Sequence, residues 1–512
     1  MTLEQLWTNC LPILPEIILS AAICVIVLLD MLAPIGRSRF VCGMAALVGT
    51  LGALWFLMDP TEAVKAARAT TSFGGMIAND GLSTFFRMLF LVGSAVTVMF
   101  AMASAETVHY RQGEFLALIL GATLGACLLV ASDNFLMFFL SLETLSLCSY
   151  VLAAFVKHQR LSAEAGLKYL LYGAVASGVM VFGISYLYGM TGTIRIPHAV
   201  GAMMAQAAQP GFGVAPFLLA LVLILAGLGF KMAMVPFQSW APDVYQGAPT
   251  PVTAFLSVVS KGAGFGALLR FMLPLFGQDV MLGSTLDGLI QAAQLPVLFA
   301  ILAVATMTFG NLVALRQTDV KRLLAYSSIA HAGYLLMGLT VYTAESVQAM
   351  MLYFFMYLVM NLGAFWIVIV VVNRVGGSDL AHFKGLWNRA PILAVSMFVF
   401  LISLTGMPPT AGFVAKLILF KVVVGAGVGS MAGAAMTPAA WFYFILALIG
   451  VVNSVISLFY YMKIMRAMAF DRAEDVAPLG LSIVEGGYAV AFAVATVALL
   501  NFGPILKLVN VL

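Results

Sequence analysis

The sequence predicts an all-α polytopic membrane protein of about fourteen transmembrane helices, two of them broken. Three observations predict it. The 512 residues are 63% hydrophobic and only 9% charged, where an ordinary soluble domain is about 25% charged. Apolar runs of about 20 residues, each long enough to cross a bilayer, recur along the whole chain. Lysine and arginine fall unevenly between alternate loops, the pattern that orients membrane proteins.

Taken in order, the spans are 11–32, 39–58, 81–103, 114–131, 133–156, 163–190, 215–246 (broken), 250–275, 295–315, 319–341, 345–373, 391–428 (broken), 440–468 and 484–508. The first run is long, contains Glu16 and lacks a basic stretch before it, so it reads as a retained span and not as a cleaved signal. The longest connections are 59–80, 191–214 and 276–294, and none is of low complexity. Fourteen of the 25 lysines and arginines lie in loops after odd-numbered spans. Four (Lys65, Arg68, Arg195 and Lys507) lie on the other side, and the remaining seven fall inside spans. By the positive-inside rule both termini face away from the cytoplasm.

Spans 7 and 12 share one pattern. Span 7 carries Lys231 five residues before Pro236, and span 12 carries Lys416 shortly after Pro408 and Pro409. Proline inside a span breaks the helix and releases backbone groups. The two breaks lie five spans apart, so a five-span repeat enters the membrane in opposite senses each time. The single membrane domain, 1–512, therefore divides into three N-terminal helices (1–113), a first inverted repeat (114–275), a second (295–469) and a C-terminal helix (484–512). Paired broken helices in two halves are the best sequence pointer to a transport site.

The ionisable residues inside spans carry the chemistry, because a charge at membrane depth is costly and functional by default. Glu143, mid-span in FFLSLETLSLCSY, reads as a proton carrier whose affinity an opposite charge sets, with Lys231 as that charge. The bland alternative for Lys231 is capping of carbonyls freed by the break. Lys261, in FLSVVSKGAGFGALL, sits too far from either end to snorkel, and Gly262 and Gly266 have the spacing of close helix packing. Lys416 is its counterpart in the second unit. Glu164 and Lys168 are four apart, acid first, which suits an ion pair on one helix face; Lys168 lies deeper and is the candidate participant. His331 is either a neutral, hydrogen-bonded histidine or a relay group. Arg87, Arg270 and Lys421 lie nearer span ends and read as structural or lipid-facing. Asp243 either caps a half-helix or lines an entrance.

The composition also excludes. The five cysteines form no C-x-x-C pair and no metal spacing, and read as small apolar residues. No phosphate-binding glycine loop is present, no carboxylate cluster suits a hard divalent cation, and no basic block suggests nucleic acid. No cofactor or metal is expected in this chain, so redox chemistry belongs to partners. Lysines repel bare cations, which favours protons moving along waters between them.

Several long stretches carry a resemblance: FKMAMVPFQSWAPDVYQGAPTPVTAFLSVVSKGA, LRQTDVKRLLAYSSIAHAGYLLMG and GMPPTAGFVAKLILF, with LPEIILSA and LKYLLYGAVASG. Through them the chain resembles the subunit N family of the bacterial proton-translocating NADH–quinone oxidoreductase, respiratory complex I. The resemblance implies fourteen helices, two inverted five-helix units and broken helices 7 and 12. It implies that Glu143 pairs with Lys231, that Lys261 is the central lysine and that Lys416 serves the second half-channel. The sibling subunit M usually has glutamate at the Lys416 position, sibling L continues into a lateral helix, and Gln238 stands where many relatives have histidine. FMN, iron–sulfur clusters, NADH and quinone are expected in partner subunits. The expected partners are other membrane subunits of complex I, including sibling antiporter-like subunits, with the lipid bilayer and protons. The expected location is the bacterial cell (inner) membrane. An Na⁺ or K⁺/proton antiporter subunit of the related multisubunit family is the alternative, and a structural subunit with vestigial charges a third reading.

Overall fold

A bilayer offers no water to unpaired backbone groups, so each apolar run closes its hydrogen bonds within itself as helix. The computed structural model describes residues 10–32, 35–58, 71–73, 75–108, 110–207, 215–276, 294–431, 435–472 and 477–499. Among them, twelve helices are long and apolar enough to cross a membrane. They are Leu11–Leu32, Ser38–Met58, Gly81–Ala103, Gln112–Ala131, Phe135–Ala153, Arg160–Thr191, Ala215–Met232, Thr250–Pro274, Leu295–Ala314, Ala344–Val375, Ala411–Gly429 and Pro438–Ala469. Val320–Gly338 and Ile483–Ala498 complete fourteen spans.

Val320–Gly338, span 10, is too polar to count on hydropathy alone, and its burial explains why it is tolerated. Every residue in it except Arg322 is buried, so protein and not lipid meets Ser327, Ser328 and His331. Span 12 is made of two pieces, 12a (Pro391–Thr405) and 12b (Ala411–Gly429). Span 7 is likewise 7a (Ala215–Met232) and 7b (Trp240–Gly247). Two connections hold more structure than the sequence suggested. Ile196–Ala207 is a helix inside 191–214, and Thr71–Ser72 pairs antiparallel with Ile77–Ala78 inside 59–80. The connection 277–293, Lys65, Arg68, Lys507 and the end of span 14 lie outside the described residues.

The described chain forms two compact units: spans 1–6, 7a and 8 make one, and 7b with spans 9–14 makes the other. Within each unit, polar contacts join span ends that the alternating path puts on one side. In the first, Arg39 donates to the Ser104 carbonyl at 2.7 Å, and Arg270 forks onto Asp80, with Nη2 at 2.7 Å from Oδ1. Asp80 also caps span 3, in a reciprocal box with Ser83. In the second, Arg374 meets Glu485 at 2.8 Å and Lys463 donates to the Gln317 carbonyl at 2.7 Å. One miscounted span would set such partners on opposite sides.

The helix breaks are satisfied locally. In the second unit the Val235 amide, freed after 7a, donates to the Thr306 hydroxyl at 3.1 Å. Span 12a ends at Gly406, whose φ of +86° is open to glycine and strained for other residues. There Met407 donates to the Ile402 carbonyl at 3.2 Å, closing the helix end as a Schellman-type turn.

Candidate functional site

In the first unit, Lys231 lies in the last turn of 7a and is 1% exposed. The free carbonyls of a helix C-terminus carry partial negative charge, which suits an ammonium nearby. Among the described residues its Nζ donates instead to Ser146 Oγ at 3.1 Å and, at 3.5 Å, to the Tyr169 hydroxyl. The expected alternative of carbonyl capping therefore does not describe Lys231. Both partners come from other helices, span 5 and span 6.

Glu143 is half-buried, one turn before Ser146 and so on the same face of span 5. Its Oε1 is shielded and makes no hydrogen bond among the described residues. The sequence read Glu143 and Lys231 as a pair; here no direct ion pair joins them. Ser146 takes the close contact with the ammonium instead.

Lys261, 2% exposed, begins the α-helical part of span 8 directly after a π-helical turn, Leu256–Ser260. Such wide turns are rare and frequently sit at functional positions. Of the two glycines expected to pack closely, Gly266 does so, and Gly264 makes a second close approach. A Cβ at Gly264 would lie 3.2 Å from the Lys231 Cβ, and one at Gly266 would lie 2.9 Å from Val130 Cγ2. Gly264 therefore brings span 8 against 7a beside Lys231, three residues beyond Lys261.

The second unit holds Lys416, 4% exposed, on 12b. Its Nζ donates to the Thr405 carbonyl at 2.7 Å, the Leu404 carbonyl at 3.2 Å and Ser454 Oγ at 2.9 Å. The capping role considered for Lys231 thus belongs to Lys416, which ties the two pieces of span 12 across their break. The ammonium also sits 4.6 Å from the centroid of the Tyr334 ring, within cation–π reach. Tyr334 meets the His331 ring edge-on at 5.9 Å. His331 Nδ1 lies 2.7 Å from the Tyr353 hydroxyl and Nε2 lies 3.5 Å from that of Tyr461. Lys416, Tyr334 and His331 are consecutive members of one buried cluster.

Other candidates stand apart. Lys168 pairs with Glu164 at 2.7 Å, with side chains 37% and 47% exposed, as an ion pair near the interface would. Asp243 pairs with Arg322, which also donates to Gln246 Oε1 at 3.2 Å; this ties 7b to span 10. Arg87 forms a buried ion pair with Glu16 at 2.8 Å, too bent for a hydrogen bond, and donates to Asn79 Oδ1 at 2.9 Å. Lys421 is exposed. Sequence reasoning missed Ser146, Tyr169, Tyr334 and Ser454. The only signal was spacing: Ser146 follows Glu143 by one turn.

A polytopic helical protein with lysines buried at two helix breaks, and a third in a wholly buried span, has the build of a membrane ion transporter. The chain belongs to the NADH:quinone oxidoreductase/Mrp antiporter transmembrane family, which matches residues 132–441, and within it to the NADH-quinone oxidoreductase subunit N group. It is 42% identical over 504 residues to NADH-quinone oxidoreductase subunit N 2 of Sorangium cellulosum, covering 96% of this chain and 94% of that one. It is similar to a chain of respiratory complex I from Thermus thermophilus solved with bound aureothin, at 31% identity and a TM-score of 0.74, covering 96% of this chain and 98% of that chain. A chain of the Mrp complex from Dietzia shares the fold at 21% identity and a TM-score of 0.78, covering 100% and 97%.

Proposed function

We propose that this chain is a membrane-arm subunit N of NADH–quinone oxidoreductase that carries protons across the membrane through Glu143, Lys231, Lys261 and Lys416. NADH oxidation and quinone reduction occur in other subunits, which hold the FMN and iron–sulfur clusters; this chain holds none. Its partners are the other membrane subunits of that complex, sibling antiporter-like subunits among them. It resides in the bacterial inner membrane with both termini on the non-cytoplasmic side. Residues 114–275 and 295–469 act as two inverted halves. Coupling arrives as a change around Glu143 and Lys231, and each gain or loss of charge alters the proton affinity of the next lysine. His331 serves the second half as an intermediate proton carrier, and Lys168 the first half as a lesser one.

The observation that carries the reading is that Lys231, Lys261 and Lys416 are each at most 4% exposed at membrane depth, where an idle charge is costly. Subunit N relatives at about 40% identity favour the oxidoreductase over a stand-alone cation antiporter, for which the likeness is one of fold. The test is Lys261→Ala in the assembled complex. Proton pumping per NADH is expected to fall sharply at normal subunit content; normal pumping overturns the relay.

A further inference from the structure

Spans 4, 5 and 6 enclose a cleft of about 650 Å³ outside the lysine cluster. Its walls are Leu147 and Val151 of span 5 and Leu167 and Leu170 of span 6, side chains between 42% and 58% exposed. They lie within helices that cross the membrane, so whatever fills the cleft is apolar along its length. The mouth is different. Arg111, Glu114 and Lys157 line it, at the ends of spans 4 and 5 where the chain leaves the bilayer.

The cations at the mouth are available. Lys157 is exposed and makes no ion pair among the described residues, and Arg160, also exposed, lies three residues further on. The Arg111 side chain is 54% exposed and held by Asp30 at 3.6 Å, which fixes its position without enclosing it. A basic mouth above an apolar groove between membrane helices fits a phospholipid. The floor is Tyr150, 6% exposed, whose hydroxyl makes no well-formed hydrogen bond among the described residues. Gly173 makes room for it, since a Cβ there would lie 1.8 Å from that hydroxyl. The Tyr150 ring meets Tyr169 edge-on at 4.8 Å, and Tyr169 touches Lys231.

We infer that this cleft binds one bilayer phospholipid. Its phosphodiester lies between Arg111 and Lys157, and one acyl chain runs down the groove over Tyr150. Glu114 is an acceptor beside the phosphate, so it selects head groups with a hydrogen-bond donor: a glycerol hydroxyl or a primary ammonium. A trimethylammonium head offers none. The site is independent of the proposed relay, although its occupant covers Tyr150, which packs on the tyrosine that meets Lys231.

The full chain in its membrane complex is stripped of loose lipid in detergent. It is then incubated with vesicles of phosphatidylcholine mixed with phosphatidylglycerol or with phosphatidylethanolamine. After repurification the retained lipid is counted by mass spectrometry. One molecule of the second lipid per chain is expected in excess over phosphatidylcholine. Arg111→Gln combined with Lys157→Gln is expected to lower that retention roughly tenfold, and Glu114→Ala, which removes the acceptor, to abolish the head-group preference. Val151→Trp fills the groove, keeps every charge and is expected to release the lipid too. Retention unchanged in the double variant or in Val151→Trp overturns the proposal. So does a photo-crosslinker replacing Leu170 that captures a polypeptide and no lipid.

Discussion

Consider Arg87→Met. Arg87 and Glu16 are 2% and 3% exposed, and the guanidinium Nε lies 2.8 Å from the carboxylate. At an effective dielectric of about 20 that separation gives roughly 6 kcal/mol of attraction. Removing both charges from water costs several kcal/mol per ion, so the intact pair contributes little net stability. Deleting only the arginine leaves the carboxylate buried without its counter-charge, and Asn79 loses its donor at 2.9 Å. The expected loss is about 3–5 kcal/mol, seen as a lower melting temperature of the purified complex and less subunit in the membrane. Glu16→Leu with Arg87→Met removes both charges, and neutral or slightly positive stability is expected. A single variant as stable as the wild type refutes this account. A double variant as unstable as the single one refutes it equally, because the loss would then come from packing and not from an orphaned charge.

Two further outcomes follow from the span ends. Gly406→Ala forces a φ of +86° on a side chain at about 1–2 kcal/mol and sets a Cβ 2.7 Å from Lys416 Cδ. Proton flux is expected to drop while subunit content falls only modestly. Gly425→Ala, which meets nothing within 4 Å, changes neither; equal effects at the two positions count against the Lys416 geometry. For Asp80, burial pushes the carboxyl up, but the Arg270 charge, its hydrogen bonds and those from Ser83 outweigh burial and hold it below the ordinary value of 3.8. A depressed carboxylate stabilises fully above its unfolded pKa and loses that stabilisation as pH falls through its folded pKa. The melting-temperature gap between wild type and Asp80→Asn is thus expected to be full above about pH 4 and to close below it; a pH-independent gap contradicts the assignment.

The fold was legible because a bilayer imposes length and polarity on every span, and Pro236, Pro408 and Pro409 mark both breaks in the text of the chain. Span 10 was legible for another reason: its charged start and serine-rich middle still had to cross once for the basic loops to alternate. Helix Ile196–Ala207 was not, since an amphipathic stretch of twelve residues between long apolar runs reads as connection. Within the site the lysines stood out because charge is rare in this sequence, whereas their partners did not. Ser146, Tyr169 and Ser454 are hydroxyls among many, and only tertiary packing chooses which one meets an ammonium. That choice also separates two lysines the sequence had made equivalent. Lys231 reaches sideways to neighbouring helices, while Lys416 is bound to the carbonyls of its own broken span. Repositioning the hydroxyls around Lys231 leaves helix 7a intact, but drawing Lys416 away uncovers the Leu404 carbonyl and leaves the Thr405 carbonyl to the Ser454 hydroxyl alone, in a setting without bulk water to replace the ammonium. The second lysine is therefore the more tightly held of the two, and moving it is inseparable from moving the break in span 12.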